Sequence, residues 1–167
     1  MERLENSRWG FESNCFVCEA ANPDGLGIEF FADVDDGTVI ADFTLDQRFS
    51  GAPSYVHGGV VLAVLDEAMA WATIALAGSF AVTKETTTRF RVPVRIGGAY
   101  RVRAGVERDD GKELQCTADV TDGDGVLCAT ASATFVPLGP AQALDALGTT
   151  ATGDDAGFIR GTEQSDA

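Results

Sequence analysis

The sequence predicts an α+β fold: an antiparallel sheet of about six strands with one long apolar helix laid on it. Three observations lead there. Six segments alternate apolar and polar residues with period two, the mark of half-buried strands. One segment, Val60 to Leu76, is apolar on almost every side. Turn signals join the strands as hairpins and meanders, which pair antiparallel.

Residues 1–25 are polar and read as irregular. They hold Cys15-Phe16-Val17-Cys18 and then the turn signal Asn22-Pro23-Asp24-Gly25. A C-x-x-C becomes a zinc or redox signal when further ligands accompany it. Cys116 and Cys128 stand singly in strand-like segments, so Cys15 and Cys18 read as a packed pair and no metal is expected. The first two strands are GIEFFADV and TVIADFTL, with Asp35-Asp36-Gly37 turning between them. FSGAPSYV is a loop by its Gly, Pro and Ser content. The helix spans roughly 58–77 and stops at Gly78. FAVTKETTTRFRVPV, AYRVRAGVERD, KELQCTADVTD and GVLCATASATFVPL complete the sheet. Pro93 suits an edge or a bulge. The folded domain is thus 26–138. From 139 to 167 the chain is rich in Ala, Gly, Thr and Asp and poor in large apolar residues, so it reads as a disordered acidic tail.

Composition narrows the function. With 167 residues, 45% of them hydrophobic, the chain makes one domain with a real core. A net charge of −14 speaks against nucleic acid and against anionic membrane surfaces as partners. The opening MERLENSRWGFES is polar, so no secretory leader is expected. Four cysteines then read as reduced thiols in the cytoplasm. The apolar helix carries Asp66 and Glu67 at its centre, which makes a membrane span costly and a protein core the better home. Lys84, Arg89, Arg91, Arg95, Arg101, Arg103, Arg108 and Lys112 fall in one stretch. That stretch is either a set of solvated strand faces or a local site for an anionic ligand.

The helix opens on His57-Gly58-Gly59. First-turn N–H groups lack intrahelical partners and carry the positive end of the macrodipole. Glycine leaves them uncovered, so the entry forms an anion-accepting pocket suited to a carbonyl oxygen gaining charge. Asp66 and Glu67 are desolvated whichever way they face, and desolvation strengthens a carboxylate as a base. Adjacent residues diverge by about 100° on a helix, so the two acids cannot share a site. Asp66 lies seven residues after Gly59 and shares its face within about 20°. The rise between them, roughly 10 Å, is long for one small carbonyl to touch both. A symmetric dimer removes the difficulty by taking amide and acid from different copies.

The stretch resembles the hot-dog fold thioesterases of the phenylacetate-degradation and 4-hydroxybenzoyl-CoA thioesterase type. The resemblance covers about 13–138. It rests on CFVC…NPDGLGIEF, FSGAPSYVHGG, LDEAMAWA, FRVPVRIGG and the nine-residue step from His57 to Asp66. It implies a hot-dog sheet wrapped on the central helix, acyl-CoA substrates, no metal or other cofactor, and a homodimer or dimer-of-dimers tetramer with its site across the interface. By position, Asp66 matches the catalytic acid, acting as general base or nucleophile. Gly58 matches the amide that polarises the thioester, and Gly59 continues that helix start. His57 matches the histidine that orients the loop, and Thr83 a Ser/Thr that holds the attacking water. Some relatives carry Asn six residues before the histidine, where this chain has Gly51, and others use Glu as the acid, which keeps Glu67 in reserve near the substrate. CoA phosphates then fall to Arg89 and Arg91, or to Arg95, Arg101 or Arg103. The alternatives are a non-hydrolysing acyl-CoA binder and a hot-dog hydratase or dehydratase, which pairs a histidine with an acid.

Overall fold

A computed structural model of the chain describes residues 1–9, 13–33 and 35–148. The elements run β1 (Glu2–Leu4), β2 (Phe30–Asp33), β3 (Thr38–Phe43), β4 (Ser50–Ala52), β5 (Tyr55–Val56), α1 (Gly58–Ala75), β6 (Ala81–Phe90), β7 (Tyr100–Asp109), β8 (Leu114–Asp122), β9 (Leu127–Pro137) and α2 (Pro140–Leu147). Among the described residues one seven-stranded antiparallel sheet forms, in the order β1-β2-β3-β7-β8-β9-β6. Strand β6 follows the helix in sequence yet closes the far edge, with β9 as its neighbour.

Helix α1 packs against one face of this sheet, meeting β2, β3, β6, β7, β8 and β9. Val64, Leu65, Ala68, Met69 and Ala72 are fully buried beneath it. Each large side chain buried this way contributes about 1.5–3 kcal/mol. The strands below it carry small residues where they meet the helix. Ala118 pairs with Ala131, and Cys116 with Ala133, and all four are buried. Short side chains let the backbone of α1 sit close to the sheet, while Phe30 and Phe135 fill the flanks. By length and composition α1 is apolar enough to cross a membrane, but half of it is buried inside the fold. It ends as Gly78 takes a left-handed φ of 57° and the N–H groups of Gly78 and Ser79 return to the carbonyls of Ile74 and Thr73.

The fold departs from the sequence expectation at its ends and in the loop before the helix. The segment 1–25 is not wholly irregular: Glu2–Leu4 pairs with Phe30–Ala32 and makes a seventh strand. Three residues are too few to display a period, so the pattern could not reveal it. The tail expected from 139 begins instead as helix α2, with Pro140 in its first turn. Gly148 caps it at a φ of 69°, and Ala143 is buried against Leu138 and Phe80. One buried alanine per two turns is too faint a signal to read in an Ala-rich stretch. The rest of that predicted tail, 149–167, lies outside the described residues. The loop FSGAPSYV holds the short hairpin of β4 and β5. Pro93 follows β6, which ends at Phe90, so the proline stands beyond an edge strand.

Candidate active site

The hairpin β4–β5 delivers the chain to the helix. The His57 N–H donates to the Phe49 carbonyl at 2.8 Å, and the Val56 N–H to the Val94 carbonyl at 2.8 Å. His57 is the N-cap: its Nδ1 accepts the Gly59 N–H at 2.9 Å, which places the ring proton on Nε2. Its carbonyl accepts the N–H groups of Val60 and Val61 at 2.9 and 3.2 Å. Three of the four first-turn amides are therefore used. The fourth, the Gly58 N–H, has no hydrogen-bond partner among the described residues. A side chain at 58 would meet only the Phe90 ring, at an ordinary 3.6 Å. Packing within the chain does not require glycine there, and the position leaves the amide uncovered. Gly51 is different: a Cβ there would come within 2.9 Å of the His57 Cα. In this loop a side chain at 51 would force the His57 backbone to shift.

Two turns into the helix, Asp66 Oδ1 accepts the Thr83 hydroxyl at 2.8 Å. Burial pushes the Asp66 carboxyl above the usual carboxylate range, and the Thr83 bond pulls it partly back. The reach from strand to helix depends on a bulge. The β6–β9 register slips between Thr83 and Glu85. Beyond the slip, Thr86 and Thr88 have buried hydroxyls. Residues 83 and 86 differ by an odd number and would face opposite sides of a regular strand. The bulge turns both toward α1, a familiar use of bulges beside functional sites. The Thr83 hydroxyl thus ties strand β6 to the acid on α1.

Glu67 faces away from this site, as the 100° step requires. Its Oε1 accepts the Cys15 thiol at 3.5 Å. Burial, then the neighbouring Cys15, pushes its carboxyl up to about 7. Glu67, held in reserve as an acid near the substrate, lies within one copy in a cluster with Cys15 and Cys18, apart from the Asp66–Thr83 pair. The Gly59 amide, expected beside the substrate, is engaged by the His57 ring, whereas the Gly58 amide is not.

The arginines divide into two groups. Arg101 makes a two-pronged pair with Asp42 at 2.7 and 2.8 Å, and Arg103 meets Asp36 at 3.3 Å. Arg89 and Arg91 are exposed on either side of Phe90, beside the helix entry, and make no ion pair among the described residues. Arg95 lies over the Tyr55 ring at 5.4 Å.

Comparison with known proteins gives a consistent picture. The family model of the thioesterase superfamily matches residues 54–129, which hold His57, Gly58, Asp66 and Thr83. Acyl-coenzyme A thioesterase THEM4 of Mus musculus is 27% identical over 126 residues, covering 72% of this chain and 53% of that protein. The chain thus spans about half the length of this curated relative. A phenylacetic acid degradation-related protein of Ralstonia eutropha JMP134 is 30% identical, with a TM-score of 0.59 over 66% of this chain and 85% of that one. The PaaI protein of E. coli, from the phenylacetic acid degradation operon, shares the fold with a TM-score of 0.63 at 21% identity, over 68% of this chain and 81% of that one.

Proposed function

The chain belongs to the thioesterase superfamily, and from that premise we propose that it hydrolyses acyl-CoA thioesters to free acid and CoA at a site shared between two copies. The observation that carries this reading is the pairing of an unpartnered Gly58 amide with a half-buried, Thr83-held Asp66 on one helix. The thioester oxygen accepts the Gly58 N–H, which grows stronger as the oxygen gains charge. Asp66 takes a proton from water, the resulting hydroxide attacks the carbonyl carbon, and the C–S bond breaks. The departing CoA sulfur takes the proton from Asp66. Arg89, Arg91 and Arg95 meet the CoA phosphates, because Arg101 and Arg103 already have carboxylate partners.

Gly58 and Asp66 are eight residues apart, a rise of about 12 Å along the helix with some 80° of rotation. A single carbonyl cannot touch both on one copy. The ten-residue edge strand β6 offers the place for a second copy, since its outer backbone groups have no strand beside them among the described residues. A homodimer, or a tetramer built from it, brings the partner's acid to the amide of the first copy. The hydratase alternative asks His57 to act as an acid–base partner, but its Nδ1 is engaged as a helix cap. Free-thiol release from a panel of short, long and aromatic acyl-CoAs tests the proposal. Turnover of at least one class supports it, whereas tight CoA binding without turnover across the panel favours the non-hydrolysing reading.

A further inference from the structure

Cys15, Cys18 and Glu67 form a cluster that hydrolysis does not use. Their ligand atoms all lie within 4.8 Å of one another. We propose that this cluster is a binding site for a divalent cation of the zinc class, with two thiolates and one carboxylate oxygen as ligands and a water completing a tetrahedron.

Geometry is the first argument. Zinc bonds of about 2.3 Å to sulfur and about 2.0 Å to oxygen, at a tetrahedral angle, set sulfur and oxygen about 3.5 Å apart and two sulfurs about 3.8 Å apart. The Cys15 Sγ to Glu67 Oε1 distance is 3.5 Å. That edge of the tetrahedron already has the required length, and the Cys18 sulfur lies within 4.8 Å of both other ligand atoms.

The surroundings suit thiolates. The N–H groups of Val17 and Cys18 both point at the Cys15 sulfur, at 3.3 and 3.4 Å. The Asn6 amide donates to the Cys18 sulfur at 3.4 Å. Such donors orient ligands and stabilise their negative charge. Meanwhile no lysine or arginine pairs with Glu67 among the described residues. A half-buried carboxylate beside two thiols calls for a positive partner, and a cation supplies it. Two sulfurs select a soft or borderline ion over magnesium or calcium. The site is reachable: one cleft beside it is lined by Asn6, Ser13, Cys15 and Glu67, and another by Asn6, Cys18 and Trp71. The ion would tie the segment at 15–18 to the helix one residue from Asp66. This inference stands apart from the hydrolytic reading, because none of its three ligands touches the Asp66–Thr83 pair.

The full chain, reduced and stripped of metal with chelator, is titrated with cobalt(II) alone. One equivalent should bind with thiolate-to-cobalt charge-transfer absorption and tetrahedral visible bands, and zinc should bleach both. Cys15→Ser/Cys18→Ser should lose the charge-transfer absorption, and Glu67→Gln should bind at least about tenfold more weakly. Circular dichroism shows whether each variant is folded, and the wild-type titration decides the matter if one is not. Absence of charge-transfer absorption in the reduced wild type overturns the site, including the case where cobalt binds only to surface carboxylates. So does Glu67→Gln titrating like wild type, or a Cys15–Cys18 disulfide that forms in air regardless of added zinc.

Discussion

The Thr83 hydroxyl donates to Asp66 Oδ1 at 2.8 Å, bridging the bulged edge strand and the central helix. The bond fixes the rotamer of a half-buried acid and leaves its second oxygen for water. Thr83→Val keeps the shape and deletes the donor. We expect kcat to fall roughly ten- to a hundredfold, the cost of a misplaced reacting group. Thr83→Ser should stay near wild type, and steady-state thiol release checks both.

Gly58→Pro removes the one first-turn amide left without a partner while keeping the helix start. Proline is tolerated at the first helical position, and His57 already has the extended backbone that precedes proline comfortably (φ −61°, ψ 133°). The variant should melt near the wild-type temperature yet lose about a hundred- to a thousandfold in kcat. Wild-type turnover in a folded Gly58→Pro protein would remove this amide from the mechanism.

The arginines give a contrast in KM. Arg91→Gln should raise KM for an acyl-CoA severalfold, with the effect fading at high salt as exposed charges are screened. Arg101→Gln should leave KM unchanged, because that guanidinium is held by Asp42. Equal effects from the two would contradict the division between paired and unpaired cations.

Co-expression tests whether two copies share the site. In a dimer of one Asp66→Asn and one Gly58→Pro copy, one site collects both defects and the other has neither. Random mixing should restore roughly a quarter of wild-type activity from two inactive parents. A site built within one chain gives no rescue.

Much of this was legible in the sequence. Period-two alternation located six strands, and the all-round apolar run located α1, because burial on one face or on all faces writes itself into residue choice. Asp66 and Gly58 stood out as candidates because an acid inside an apolar helix and glycines at its entry both run against local preference. Three features were hidden. The bulge at Thr83 changes which residues face the helix, yet it is a matter of strand register that alternation alone does not encode. The competition of His57 for the Gly59 amide depends on a side-chain rotamer. Glu67 meets Cys15 across 52 positions of chain, so the C-x-x-C looked unaccompanied until the fold brought its third member in.

The most direct measurement is free-thiol release by Asp66→Asn on the best acyl-CoA substrate, with circular dichroism as the control for folding. Asparagine matches the aspartate in size and can still accept the Thr83 bond, but it cannot take a proton from water. The account predicts a folded protein with hydrolysis at background. A folded Asp66→Asn protein that turns over at the wild-type rate would contradict it.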